Sequence, residues 1–318
     1  MTQYACQLDD VRAAASRISG IAHRTPVITC GTIDNAAGCR VYLKCENLQK
    51  VGAFKFRGAT NTVCLLSDTE AARGVVTHSS GNHAQALALA AKTRGIPAHI
   101  VMPSNAPTVK RRAVEGYGAR IIECAPFLAD RESTADAVQT ETGATFVHPY
   151  DDPRVIAGQG TVSLELIEQV PDIDTIITPV GGGGLLSGVC IGATQTRPDV
   201  RIFAAEPEGA DDAARSLASG QLIPQTAPDT IADGLLTSLG ELTWPIIRDH
   251  VEGIVTVSDA EIVAAMRLLW ERAKLVVEPS GAVSLAALLK SASTEFNSAQ
   301  HVAVVLSGGN VNLDGLPW

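Results

Sequence analysis

The sequence predicts an α/β protein built on two doubly wound parallel sheets, and three observations predict it. Short β-branched runs alternate with longer Ala- and Leu-rich stretches at helical spacing; this alternation builds right-handed βαβ crossovers with helices on both faces of a parallel sheet. The 318 residues are enough for two such units, and 46% of them are hydrophobic, which excludes a disordered chain and supplies the cores. Four consecutive glycines, Gly181 to Gly184, separate an apolar run from a helical one, the position at which parallel sheets carry their ligands.

The strand-like segments, in order, are VYL (42–44), GVVTH (74–78), AHIVM (98–102), ARIIEC (119–124), DTIITPV (174–180), RIFAAE (201–206) and HVAVVLS (301–307). Helical spacing is clearest in NHAQALALAAKTRG (82–95) and DAEIVAAMRLLWERAK (259–274). Residues 74–148 read as four strands and three helices, a small doubly wound unit, and residues 160–307 read as a second one. No low-complexity linker separates them, so the two units are expected to share a close interface.

Charge and cysteine usage narrow the function classes. Lys and Arg number 25 against 34 Asp and Glu, a net charge of −9, which argues against nucleic acid or an anionic membrane as a partner. No apolar run reaches the roughly 18 residues that span a bilayer. The N-terminal stretch lacks a basic segment followed by an apolar core, so a cytoplasmic protein is expected. Seven cysteines, an odd number without CxxC or paired Cys/His spacing, predict reduced thiols rather than a disulfide framework or a thiolate zinc site.

Four motifs carry chemistry. In PVGGGGLLSG (179–188) the glycines let backbone approach an anion, with free N–H groups and the positive end of a helix dipole to hold a phosphate. No Lys-Ser/Thr follows, so this is not a P-loop. A purely structural tight turn is the alternative. THSSGNHAQAL (77–87) crowds Ser79, Ser80, Asn82 and His83 onto a helix N-terminus, a setting for a carboxylate or, more plainly, for a helix cap. AFKFRGA (53–59) sets Lys55 between Phe54 and Phe56; a desolvated lysine has a lowered pKa and becomes a nucleophile, although an isolated lysine is more often a solvated surface group. VVLSGGN (304–310) ends an apolar strand in Ser307, placed to meet a ring nitrogen or to close a turn.

Together these motifs resemble the fold-type II pyridoxal-phosphate enzymes (tryptophan synthase β-like), specifically the serine racemase and threonine (serine) dehydratase group, close also to the 3-hydroxyaspartate dehydratases. The resemblance extends over nearly the whole chain, through RTPV (24–27), KCENLQKVGAFKFRGA (44–59), GNHAQALA, AGQGT (157–161), GGGG, EPEGADD (206–212), TIADG (230–234), EPSGAVSLAA (278–287) and SGGN (307–310). It implies a large cofactor-binding domain from residues 1–70 plus 152–318 and a small substrate-side domain from 71–151.

The resemblance implies pyridoxal 5'-phosphate on Lys55, its phosphate cradled by Gly181, Gly182, Gly183 and Gly184, its ring against Phe54, its phenolic oxygen on Asn82 and its pyridine nitrogen on Ser307. A hydroxyl partner protonates the ring less than a carboxylate would, which suits β-elimination. Lys55 is then the base that takes the Cα proton, and Ser80 is the hydroxyl that serves the opposite face in serine racemase, so racemisation stays open. Ser79, Asn82 and His83 resemble the binders of the substrate α-carboxylate. The implied reaction is dehydration and deamination of a small β-hydroxy amino acid, L-serine and L-threonine, to keto acid and ammonia.

Three further positions come with the resemblance. Glu206, the backbone oxygen of Ala210 and Asp212 match a site for a divalent cation, Mg²⁺ or Ca²⁺/Mn²⁺, with a solvated acidic loop as the alternative. Arg131 aligns with an arginine facing the far end of the substrate; pairing with a second carboxylate would make 3-hydroxyaspartate the substrate and oxaloacetate the product, whereas an exposed ion pair with Glu132 is the bland reading. Tyr150, in HPYDDP, stands where some relatives carry Asn and is assigned no role. A homodimer is the oligomer that the resemblance implies.

Overall fold

The computed structural model describes residues 4–106 and 108–318. Ten strands form two sheets: β1 (Val27–Ile28), β2 (Arg40–Cys45), β3 (Val75–His78), β4 (Ala98–Pro103), β5 (Arg120–Cys124), β6 (Thr145–Phe146), β7 (Thr175–Pro179), β8 (Arg201–Pro207), β9 (Gly253–Val257) and β10 (His301–Leu306). Six of them run in the order β1-β2-β10-β7-β8-β9, and four in the order β5-β4-β3-β6. All neighbours are parallel except β1, which pairs antiparallel with β2 at Val27↔Lys44. Each of the seven predicted strand segments is found; β1, β6 and β9 lie outside them, two being only two residues long and the third lying at the sheet edge.

Side-chain alternation explains why the strands of the larger sheet read as continuous apolar runs. Ile176, Ala204 and Val305 face one core, with the helices Pro153–Gln169 and Gly184–Thr194, while Ile177, Ala205 and Val304 face the other, with the helix Pro279–Ser291. Both faces are buried, as a parallel sheet requires. The smaller sheet is less evenly covered. Val75, Ile100 and Met102 join a large cluster with the helices Lys55–Leu65 and Asn82–Arg94, but Val76 and Val101 meet little beyond Ala135 and Val138 of the helix Leu128–Thr142.

An ionic cluster sits between the helix Lys55–Leu65, the helix Pro153–Gln169 and β2. Arg57 is fully buried; its Nε donates to Glu46 Oε2 at 2.8 Å and its Nη1 to Glu165 Oε1 at 2.7 Å. Lys44, equally buried, donates to Glu165 Oε2 at 2.7 Å. Buried charges persist only when paired in this way, and the cluster fixes the first turn of the helix that Lys55 opens.

The helix predicted over 259–274 ends at Leu268 and continues as a wide turn, Leu269–Ala273. Leu275 N–H reaches back to Leu269 O at 3.1 Å, and Lys274 takes a left-handed φ of 60°. All seven thiols are unpaired. Among the described residues, no helix is long and apolar enough to cross a membrane.

Candidate active site

The carboxyl ends of β3, β7 and β10 converge with the start of the helix Lys55–Leu65. Phe54 N–H donates to Ser307 O at 3.1 Å, and Ala53 bridges Gly308, so Lys55 is held beside the end of β10. Lys55 Nζ donates to Pro149 O at 2.7 Å and lies 5.1 Å from the Phe54 ring centroid. Burial lowers its pKa to about 8. Phe54 lines the lysine. Phe56 points the other way, fully buried in the core of the smaller unit.

The glycine turn follows β7 and is wholly buried. A Cβ on Gly182 would meet the Tyr150 ring at 2.3 Å, and one on Gly181 would meet Leu235 Cα at 3.0 Å. Gly183 has a φ of 87°, which a side chain resists. Close packing therefore demands glycine at these positions. Toward the site, the N–H groups of residues 181–186 find no acceptor among the described residues, so a row of donors stands free at the N-terminus of the helix Gly184–Thr194. Such a row of donors at a helix N-terminus is the chemistry that an anion such as a phosphate requires.

Ser79, Ser80, Asn82 and His83 follow β3. The cap of the helix Asn82–Arg94 is Gly81, and none of the four side chains fills that role. Ser79 Oγ accepts from Gly81 N–H at 3.3 Å. Asn82 is held by its side chain: Nδ2 donates to Glu278 Oε1 and Oδ1 accepts from Asn310 Nδ2, each at 2.8 Å. His83 is buried, with Nε2 on Val147 O at 3.2 Å and Nδ1 without a partner. Burial, with the nearby Lys55 charge, lowers its pKa to about 3, so the ring is neutral and what it offers an anion is its backbone N–H.

Ser307 is buried at the end of β10, with Oγ 3.4 Å from Ser280 O. The residue missed by sequence reasoning is Glu278. It is buried, accepts from Asn82 and, at 3.0 Å, from Asn310 N–H, and burial raises its pKa to about 7. Its only local signal is a glutamate before a helix-opening proline, which reads as an ordinary helix start. Tyr150 is the second omission, since its ring roofs Gly182.

Glu206 and Asp212 lie behind the glycine turn, and both are buried, which rules out the solvated-loop reading. Glu206 accepts from Ala213 N–H at 3.0 Å and Ala214 N–H at 2.9 Å, and burial raises its pKa to about 8. Asp212 Oδ2 accepts from Leu239 N–H at 3.2 Å, Oδ1 is buried without a partner, and burial raises its pKa to about 6. Two buried carboxylates with an orphaned oxygen, beside the buried Ala210, fit a hard cation. No cluster of three or more His, Cys, Asp or Glu is present among the described residues. Arg131, half-buried near the start of the helix Leu128–Thr142, donates Nε and Nη2 to Pro126 O at 3.3 and 3.0 Å.

The sequence matches pyridoxal-phosphate dependent enzymes over residues 18–308. It is 51% identical over 310 residues to a β-hydroxyaspartate dehydratase of Paracoccus denitrificans, covering 98% of each chain. It is 51% identical over 318 residues to a serine racemase of Oryza sativa subsp. indica, covering 99% of this chain and 94% of that one. The fold matches the structure of maize serine racemase with a TM-score of 0.97 at 50% identity, covering 98% and 95% of the two chains. A buried low-pKa lysine and a row of free backbone donors at a helix N-terminus fit that cofactor, and the chain belongs to the family of pyridoxal-phosphate dependent enzymes.

Proposed function

We propose that the protein eliminates water from a small β-hydroxy amino acid, L-serine and L-threonine, to give a keto acid and ammonia, with serine racemisation as a side reaction. The observation that carries this reading is Lys55, buried, bonded to Pro149 O and poised at a pKa of about 8. An amine with so lowered a pKa has a neutral fraction near neutral pH that an ordinary lysine lacks, and that fraction accepts a proton. Pyridoxal phosphate supplies the electron sink that acidifies the substrate Cα proton.

The residues that would hold it are Lys55, Phe54, Asn82, Gly181 to Gly184 and Ser307. Lys55 Nζ takes the Cα proton on one face. Ser79, Asn82 and the His83 backbone bind the α-carboxylate, and Ser80 serves the other face for racemisation. As the Cα–H bond breaks, the Cβ–O bond breaks with it; the proton taken up by Lys55 Nζ passes to the leaving hydroxyl, so that one water is lost and Lys55 is neutral again. The released enamine tautomerises and takes up water, giving keto acid and ammonia. The Glu206–Ala210–Asp212 site takes a divalent cation, Mg²⁺ or Ca²⁺/Mn²⁺, that braces the turn behind the phosphate donors. We assign residues 71–151 to a small domain and the remainder to a large one. The exposed apolar Leu48 and Val276, on segments joined by the Asn47 Nδ2 bond to Val276 O, support a homodimer.

A second reading, 3-hydroxyaspartate to oxaloacetate with Arg131 on the distal carboxylate, is favoured by the 51% identity to a β-hydroxyaspartate dehydratase. The deciding experiment measures keto-acid release from L-serine, L-threonine and the hydroxyaspartate stereoisomers side by side, in the wild type and in Arg131→Ala. Fastest turnover of serine, untouched by the substitution, is expected. Oxaloacetate as the fast product, lost in Arg131→Ala, replaces the first reading with the second, and no keto acid from any substrate overturns both.

A further inference from the structure

The unit built on the smaller sheet meets the rest of the chain around the site at two depths. The inner contact is Asn82 on Glu278 and Asn310. The outer one is ionic: Lys110 Nζ, on the helix Thr108–Gly116 after β4, donates to Asp233 Oδ2 in the short turn Asp233–Leu235. Arg111, the next residue, is committed within its own unit to Glu123 at 2.7 Å, so Lys110 is the cation that crosses. The lysine side chain is 26% exposed and the aspartate 54%, which places the pair at the rim. The pair Arg94–Asp68, by contrast, is stretched to 3.9 Å on a fully exposed aspartate, while Arg94 donates to the Val63 and Leu66 carbonyl oxygens.

The turn that Lys110 grasps is the one against the cofactor cradle. Leu235 Cα and Gly234 O pack on Gly181, at 3.0 and 3.4 Å from where a Cβ would be. Gly234 N–H donates to Ser280 Oγ at 2.9 Å, and Ser280 O faces Ser307 Oγ at 3.4 Å. One ion pair thus reaches, through three residues of backbone, both the phosphate donors and the hydroxyl at the end of β10.

We propose that Lys110 is a positioning residue, a latch that holds the helix Thr108–Gly116 closed over the cleft and keeps the Asp233–Leu235 turn seated on the glycine loop. It rests on this cleft being the active site and not on which amino acid the site takes. A rim ion pair biases a two-state closure by about two- to five-fold and weakens as salt screens it.

The test uses the holoenzyme with Lys110→Met, which keeps the stem and removes the charge, Lys110→Arg, which keeps the charge, and the swapped pair Lys110→Asp with Asp233→Lys. Hydrogen exchange of residues 108–116 and 230–236 reports closure without turnover; KM and kcat are measured at low and high salt. In Lys110→Met, exchange of both segments is expected to speed up and KM to rise about two- to five-fold for every substrate turned over, with kcat nearly unchanged and the salt dependence of KM lost. Lys110→Arg and the swapped pair restore the wild-type pattern. Unchanged exchange in Lys110→Met overturns the latch, as does a raised KM that keeps the wild-type salt dependence. If no substrate is turned over, the functional reading fails while the exchange experiment still decides the latch.

Discussion

Pro149 takes one N–H of Lys55 onto its carbonyl oxygen at 2.7 Å, and two residues earlier Val147 O does the same for His83 Nε2 at 3.2 Å. The segment that follows β6 thus orients both the lysine and the histidine. A neutral Lys55 keeps an N–H for Pro149 and directs its lone pair elsewhere.

Apoprotein is therefore expected to recapture pyridoxal phosphate at a rate that climbs with pH through about 8, not near the ordinary lysine value of 10.5, because only the unprotonated amine attacks. Stopped-flow absorbance across pH 6.5–10 reads the midpoint, and Lys55→Ala shows no covalent capture. The stability linkage has a definite sign. With the folded pKa lowered, the unfolded chain binds more protons between about 8 and 10.5, so this group's contribution to stability rises with pH across that window. A midpoint near 10.5 would contradict the burial of Lys55.

Gly182→Ala places a methyl group where the Tyr150 ring stands, 2.3 Å from its Cγ. Overpacking of this kind costs about 1–3 kcal/mol, so cofactor affinity should fall by roughly 5- to 150-fold. Tyr150→Ala in the same chain makes room, and the double variant should bind more tightly than Gly182→Ala alone. Fluorescence titration of the apoproteins checks both statements. Additive losses would show that ring and turn do not compete for this space.

Glu206 and Asp212 give a pH-dependent cation effect. Their folded pKa values are raised to about 8 and about 6, from 4.5 and 3.8. Without a cation, their contribution is intact at low pH and is lost as pH climbs through those values. A cation takes the place of the protons, so the gain in Tm from Mg²⁺ over chelator should be small at pH 5.5 and larger at pH 8. Thermal melts of the wild type and Asp212→Asn measure it, with the gain abolished in the variant. A gain of equal size at both pH values would place the cation elsewhere.

Much of this architecture was legible in the chain. All seven β-branched runs became strands because apolar residues buried on both faces of a parallel sheet must be continuous, and that is a local property. Lys55, Gly181 to Gly184 and Ser307 could be singled out because each sits at a junction whose residue types are unusual where they stand. The wide turn at Leu269–Ala273 was not legible, because WERA is ordinary helical sequence and the bond from Trp270 Nε1 to Val277 O at 3.1 Å helps to hold the turn.

The sequence by itself determined the order of the elements, the family and the residues at the strand ends, since these follow from short-range pattern and from motifs spaced along the chain. Only the tertiary structure decided which of them meet. Asn82 and Glu278 lie 196 residues apart, Lys110 and Asp233 are 123 apart, and Tyr150 reaches Gly182 from another element. Such contacts depend on how one sheet is seated against the other, and burial then fixes the chemistry: the same Lys55, Glu206 and Asp212 would titrate near their ordinary values in water, and they are shifted here because folding removes that water.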